Sequence, residues 1–238
     1  ESKAAEFNAR VTLSNVVAAA LDEMFRQRQP ILSGIDLDSG FIAILKAAKG
    51  RSGDDWAKEL AGAKAQGFTP QEVGAEAGLG IKAGLKQELS KAEHRDDCFH
   101  AAYELGKVLS RLERSAYATI GQEEEAAKDL KKNAAQGADQ RGAAQRLRRA
   151  QERCNVAIKL FDSFETETQR VREALEAVDV RTQQLRSPEE MARELGQRAA
   201  RIRSLHDASC KKVGRYLKNR IPGLVLYCKE MYEAFGEL

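Results

Sequence analysis

The sequence lacks any apolar run approaching the roughly 18 residues that a membrane-spanning helix needs, and its mean hydropathy is −0.52. We therefore expect no transmembrane segment and no membrane partner. The first residues, Glu1-Ser2-Lys3, are not followed by a hydrophobic signal core, so the sequence predicts a cytoplasmic protein rather than a secreted one. Because it does not begin with Met, we expect a fragment of a longer protein.

Aromatic residues and paired cysteines are also scarce. Phe, Trp and Tyr together make up 6% of the chain, which is low for a β-sandwich or barrel and favours a largely helical protein. The four cysteines stand singly, with no Cys-x-x-Cys pattern, which excludes a disulfide framework or a zinc site of the usual spacing. They are typical of buried thiols in a reducing compartment: Cys98, Cys154, Cys210 and Cys228.

Charge and glycine divide the 238 residues into two unlike parts. Residues 1–100 contain 13 basic and 15 acidic residues and 10 of the 18 glycines. Residues 101–238 contain 26 basic and 21 acidic residues, and no glycine occurs between Gly142 and Gly196. This division predicts a turn-rich α/β domain over 1–100 and an α-helical domain over 101–238.

The first part predicts three strands, a helix, a strand, a helix and a fifth strand. The strands are expected near 15–26, 31–37, 41–45, 71–76 and 92–95, and Asp36–Gly40 marks a tight turn. Ser52 or Asp54 is expected to cap the first helix, with Trp56 in the core. An alternative is that residues 13–25 form a helix that ends in solvated Asp22 and Glu23.

The second part predicts long helices with heptad spacing. Two apolar seams alternate steps of three and four, as a helical hairpin or coiled coil requires, and favour a homo-oligomer. Ser187-Pro188 is expected to begin a third helix and Ile221-Pro222-Gly223 to separate a last one. The seam residues are Leu105, Leu109, Leu112 and Ala116 in the first seam, and Leu147, Ala150, Cys154, Ala157, Phe161, Phe164 and, after Thr168, Val171, Leu175 and Val178 in the second.

Three acidic residues stand at predicted strand ends. Asp22 stands at the end of the first strand, Glu76 comes after the fourth and Asp97 after the fifth, with His100 three residues later. Carboxylates at neighbouring strand ends can share Mg²⁺ or Mn²⁺, which activates a nucleophile in phosphodiester attack. The alternatives are that the acids fall there by chance and that His100 is a capping or surface residue.

The order of these elements resembles the RNase H-like core of DDE/D transposases. Leu21-Asp22-Glu23-Met24-Phe25, followed by Gln29-Pro30-Ile31-Leu32, looks like the opening of one group of bacterial insertion-sequence transposases. Three later blocks look like that group's as well, and the last matches its (C/D)xxH motif before an all-helical insertion. These blocks are Arg51–Trp56, Gly78–Gly84 and Asp97–His100.

The resemblance implies an α/β RNase H-like core over 1–100 and a helical insertion over 101–238. It implies that Asp22 and Glu76 are catalytic metal ligands, with Asp97 and His100 bordering the site and Mg²⁺ (or Mn²⁺) as cofactor. Glu76 stands where the family has Asp, which puts activity in doubt because the longer side chain displaces the carboxylate. The family's last Glu is expected beyond Leu238, with Glu230, Glu233 and Glu237 as weaker candidates.

The implied partner is transposon-end DNA. A basic cluster before Pro222 is the better nucleic-acid candidate, and Arg146, Arg149 and Arg153 form a second one. A mixed solvated face is the alternative, since acidic residues are interspersed. The better cluster consists of Lys211, Lys212, Arg215, Lys218 and Arg220. Two functions remain open: a DDE-type transposase fragment and a non-enzymatic helical scaffold that pairs with another protein.

Overall fold

The structure of the protein is a computed structural model that describes residues 13–75 and 78–235. The chain divides into two compact units, Glu1–His100 and Ala101–Leu238, which are described separately below.

The first unit has the strand and helix order that the sequence predicts. Strands β1, β2 and β3 are followed by helix α1, strand β4, helix α2 and strand β5, after one 3₁₀ turn at Leu13–Asn15. The prediction of a mixed sheet with helices is therefore confirmed. The strands are β1 Ala18–Arg26, β2 Gln29–Asp36, β3 Ile42–Ala47, β4 Glu72–Ala75 and β5 Glu93–Asp96, and the helices are α1 Gly53–Ala65 and α2 Leu79–Glu88.

The five strands form one sheet in the order β3-β2-β1-β4-β5. β1, β2 and β3 pair antiparallel, whereas β4 runs parallel to both β1 and β5. Gln27 and Arg28, with φ values of 50° and 69°, form the two-residue turn between β1 and β2. This left-handed conformation matches the twist of a tight hairpin. The parallel pairs instead need crossovers, which α1 and α2 supply.

Alternation along β1 separates the two faces of the sheet. Ala19, Leu21 and Glu23 are buried, whereas Asp22 and Met24 are exposed. The strand is therefore not the end of a helix over 13–25, and Asp22 lies in its middle rather than at its end. The buried face packs in a core with residues of α1 and α2, and the largest side chains of this core are fully buried: Trp56, Leu60, Phe68 and Ile81.

Helices α1 and α2 pack closely through glycine. A Cβ atom at Gly84 would lie 2.6 Å from the Cβ of Trp56, and one at Gly80 would collide with the carbonyl oxygen of Arg51. Ser52 caps α1 with a reciprocal capping box to Asp55, which decides between the two expected caps. The glycine block that the sequence singles out therefore has a packing role in α2.

The second unit consists of helices and one small hairpin. Helix α3 begins in the first unit and continues into the second, where α4 follows it. The elements are α3 Cys98–Ala135, α4 Arg141–Ala174, β6 Val178–Asp179, β7 Gln184–Leu185, α5 Pro188–Ser204, α6 Ala208–Lys218, α7 Ile221–Leu224 and α8 Leu226–Phe235.

The predicted apolar seam of α4 is buried at several of its positions, but it does not extend as far as predicted. Ala150, Cys154, Phe164 and Val171 are buried as expected. The prediction that the seam runs to Val178 is wrong, because α4 ends at Ala174 and Val178 pairs with Leu185 in the hairpin. The carboxylate of Asp179 accepts hydrogen bonds from the backbone N–H groups of Arg181 and Thr182, and this polar turn stabilises the hairpin against continued helix.

The caps of the later helices are set by short side chains. Ser187 begins α5 with a capping box to Glu190, as the sequence predicts. Asp207 caps α6, and the beginning of this helix is not predicted from the sequence. Residues 221–223 begin the short helix α7 rather than only breaking the chain, because a proline in the first turn removes no helical hydrogen bond.

Candidate active site

The acidic residues predicted to form a site each come directly after a residue of one aligned row across three strands. Leu21 of β1, Ala75 of β4 and Asp96 of β5 lie side by side in the parallel register. The next residues in sequence are Asp22, Glu76 and Asp97. Asp22 lies on β1, and Asp97 directly follows β5. Because β4 lies between these two strands, β1 and β5 are about 10 Å apart. Glu76 lies outside the described residues.

Asp22 presents an exposed carboxylate on the face opposite to Leu21 and Glu23. Its Oδ1 accepts a hydrogen bond of 2.8 Å from the backbone N–H of Glu23. Ser33, its register partner on β2, donates to the backbone carbonyl of Asp22 at 3.2 Å. This arrangement orients the carboxylate and leaves it without an ion pair to any described side chain.

The structure brings Asp97 and His100 together at the start of α3. Oδ1 of Asp97 accepts a hydrogen bond of 2.7 Å from the backbone N–H of Phe99, and Oδ2 lies 2.7 Å from Nδ1 of His100. The Phe99 and His100 rings meet edge to face at 5.8 Å. Asp97 thus stabilises the first turn of α3 and holds the imidazole ring at the end of β5.

Glu23 is a buried, hydrogen-bonded residue beside Asp22 whose role is not predicted from the sequence. Its side chain is 1% exposed, and its carboxylate accepts hydrogen bonds from Nε1 of Trp56 at 2.9 Å and from Arg51 at 2.8 Å. The Arg51 guanidinium also lies over the Phe25 ring, 5.3 Å from its centroid. A signal exists in the sequence, since Glu23 is two residues from Leu21 on the inward face of a strand and the chain has one Trp to donate.

A cavity of about 420 Å³ lies beside Glu23. It lies between Glu23 of β1 and the beginnings of α1 and α2, so three of the sequence blocks singled out above meet there. Its lining residues are Glu23, Arg51, Ser52, Gly53, Gly78, Leu79 and Gly80.

The exposed carboxylate of Asp22 is of a type that a hard divalent cation binds. Mg²⁺ and Mn²⁺ prefer carboxylate oxygens, and the exposed Asp22 carboxylate supplies them. Asp97 is engaged with Phe99 and His100, and within residues 13–75 and 78–235 no three His, Cys, Asp or Glu side chains are grouped to hold a metal. Of the described candidate residues, Asp22 therefore fits the metal role.

The basic residues of α6 form one solvent-facing surface, which we call the α6 basic face. Cys210, Val213 and Leu217 are buried on the opposite side of the helix. No acidic residue occurs between Asp207 and Glu230 in the sequence. The α6 basic face consists of exposed Lys211, Lys212, Arg215 and Lys218, together with half-buried Arg220, whose guanidinium stacks 4.4 Å from the centroid of the Tyr216 ring.

The second basic cluster is differently built. Arg149 and Arg153 line a groove of about 490 Å³ that also includes Arg111, Leu112 and Asp207. Arg111 forms an ion pair of 2.6 Å with Asp207, the cap of α6. Positive charge is thus partly neutralised in this groove, in contrast to the α6 basic face.

Asp207 and Cys210 influence each other's protonation. Although burial opposes it, hydrogen bonds from the Cys210 backbone N–H and from Arg111 hold the pKa of Asp207 below its ordinary value of 3.8. Burial and the neighbouring Asp207 carboxylate raise the pKa of Cys210 to about 12. The Cys210 thiol is therefore protonated at neutral pH and is not a nucleophile.

The weaker candidates for a last acid lie in or after α8. Glu230 and Glu233 belong to this helix, where Glu233 is 3.9 Å from Lys229, whereas Glu237 lies outside the described residues. Both described residues belong to the second unit.

No model of a known protein family matches the chain, and no curated protein matches it. Across the two described ranges, no helix has both the length and the apolar character needed to cross a bilayer.

Proposed function

We propose that the first unit is an RNase H-like catalytic core and that the chain acts in DDE-type DNA transposition. The observation that supports this proposal is the row Leu21–Ala75–Asp96 on three neighbouring parallel strands, in which each residue is followed in the sequence by an acid. The strand order β3-β2-β1-β4-β5, with β2 antiparallel to its neighbours, supports it.

In this function Asp22 and Glu76 hold Mg²⁺ or Mn²⁺. The bound cation supplies charge stabilisation and nucleophile activation for phosphodiester hydrolysis and strand transfer. Asp22 contributes an oriented carboxylate, fixed by the N–H of Glu23. Asp97 holds the His100 ring at the border of the site, where the imidazole can contact DNA or move a proton.

The DNA partner is assigned to the α6 basic face. Lys211, Arg215 and Lys218 recur along one side of the helix, which suits contact with successive backbone phosphates. The substrate is transposon-end DNA, a second protomer pairs through the helical unit, and the protein acts in the cytoplasm.

The scaffold alternative is favoured by one observation. Both oxygens of Asp97 are engaged in capping α3 and in the His100 contact, as expected of a structural turn. A scaffold would be indifferent to divalent cations.

A metal titration separates the two functions. Melting of the full chain is followed by far-UV circular dichroism with increasing Mg²⁺ or Mn²⁺, for the wild type, Asp22→Ala and the control Asp38→Ala, an exposed acid in the β2–β3 turn. The transposase function predicts metal-dependent stabilisation that Asp22→Ala alone abolishes. Equal melting with and without metal in all three proteins would contradict it and support the scaffold.

A further inference from the structure

Two inward-facing residues of β1 contact the chain on both sides of positions 76–77. Leu21 pairs with Ala75, the last described residue before them. A Cβ atom at Gly78, the first described residue after them, would lie 3.4 Å from Oε1 of Glu23. Leu21 and Glu23 are the immediate neighbours of Asp22 in the sequence. The two sequence neighbours of Asp22 thus link β1 to Ala75 and to Gly78.

The buried carboxylate of Glu23 is a poor device for stability alone. Its charge is removed from water, and a buried ion pair is often no more stable than apolar residues of the same volume. Arg51, its partner, is 59% exposed, which weakens the attraction further. The hydrogen bonds from Trp56 and Arg51, at the beginning of α1, instead fix the orientation of the Glu23 side chain.

A chain of hydrogen bonds links this buried pair to the exposed face of the sheet. Trp56 and Arg51 donate to the side chain of Glu23, and the backbone N–H of Glu23 donates to Oδ1 of Asp22 at 2.8 Å. Displacement of the Glu23 side chain therefore changes the direction of the N–H group that orients the Asp22 carboxylate. Glu23 itself faces away from Asp22, so it is not a second ligand there.

We propose that Glu23 is a positioning residue for Asp22, held in place by Trp56 and Arg51. This inference rests on the proposed function, since it assigns Glu23 a role in the metal affinity of that same site. Groups that orient a metal ligand typically change affinity about 10- to 100-fold when they are altered.

The test measures Mn²⁺ affinity of the full chain from the electron paramagnetic resonance signal of free Mn²⁺. Glu23→Gln keeps the size of the side chain and an acceptor for Trp56 but removes the charge that holds Arg51. Trp56→Phe keeps the carboxylate and removes one donor. The matched control is Glu167→Gln, which alters a buried carboxylate paired with Arg170, Arg198 and Arg201 in the other unit.

We expect Glu23→Gln to weaken Mn²⁺ binding at least tenfold and Trp56→Phe to weaken it less, with circular dichroism showing both folded. Glu167→Gln is expected to bind as the wild type does, even where its melting temperature falls. If Asp22→Asn abolishes binding while Glu23→Gln and Trp56→Phe match the wild type, the positioning role is overturned and the proposed function stands. If the wild type binds no Mn²⁺, the proposed function and the positioning role are both overturned.

Discussion

The indole nitrogen of Trp56 lies 2.9 Å from a carboxylate oxygen of Glu23, so the only tryptophan of the chain is bonded to the neighbour of Asp22. Because this Trp is fully buried, its fluorescence reports on the interior of the first unit beside Glu23. The pair connects the packing of α1 to the strand that contains Asp22.

Glu23→Ala should destabilise the first unit. The substitution leaves the buried Trp56 N–H without its acceptor and removes the partner of Arg51, so we expect the free energy of unfolding to fall by about 2–3 kcal/mol. Urea unfolding followed by Trp56 fluorescence measures this change. The control Glu93→Ala alters an exposed acid of β5, for which a change within about 0.5 kcal/mol is expected. Equal stability of Glu23→Ala and the wild type would show that the buried network contributes nothing.

Two glycine substitutions should act in opposite directions. A Cβ at Gly84 would meet Trp56 at 2.6 Å and the backbone of α1, so Gly84→Ala is expected to cost about 1–3 kcal/mol. Gly62 lies within α1 with no atom within 4 Å of such a Cβ, and Gly62→Ala should stabilise by about 0.5–1 kcal/mol. Thermal unfolding of the two variants gives the comparison. The packing account is contradicted if Gly84→Ala stabilises as much as Gly62→Ala does.

The ion pair of Asp207 should make the stability of the helical unit depend on acid pH. Because the folded-state pKa of Asp207 is lowered, its contribution is complete above the ordinary value of 3.8 and is lost as pH falls through the folded-state pKa. Asp207→Asn keeps a side chain able to cap α6 but removes the charge. Urea midpoints should therefore differ between wild type and variant at pH 6, and the difference should shrink only as pH falls below 3.8 toward the lowered folded-state pKa of Asp207. A difference that is constant over this range would exclude the charge of Asp207 as its cause.

The α6 basic face should dominate the salt dependence of DNA binding. Lys211→Glu, Arg215→Glu and Lys218→Glu together are expected to weaken binding to duplex DNA and to reduce the salt slope by about 3, if each residue contacts one phosphate. Fluorescence anisotropy at several salt concentrations measures both quantities. The control replaces exposed Lys128, Lys131 and Lys132 of α3 with Glu, which gives the same change in net charge. Equal effects of the two triple variants would show that only overall charge matters.

Much of the first unit follows from local patterns in the sequence. Turn residues at Asp36–Gly40 and the cap at Ser52 mark strand and helix boundaries through interactions within a few residues. The burial of Glu23 could not be predicted in the same way, because its partners Arg51 and Trp56 are 28 and 33 residues away in the sequence. The alternation in β1 is also obscured by three consecutive alanines, which left a helix over 13–25 as an open alternative.

In the second unit the heptad spacing identifies the buried side of α4 but not its end. Val178 fits the spacing, yet the Asp179 turn and the pairing of Val178 with Leu185 replace the helix there. The beginning of α6 at Asp207 is also not predicted from the heptad spacing. It depends on a single side chain, that of Asp207, which accepts hydrogen bonds from the backbone N–H groups of Ser209 and Cys210. For the candidate site, the order of the strands along the chain could be predicted from the sequence. The register that aligns Leu21, Ala75 and Asp96 could be read only from the structure.

The most direct test of the metal role of Asp22 is to locate Mn²⁺ by its anomalous diffraction in crystals of the full chain soaked with the ion. The account predicts a peak within coordination distance of the Asp22 carboxylate that is absent from crystals of Asp22→Asn. A peak that persists in Asp22→Asn, or no peak beside Asp22 in the wild type, would contradict it.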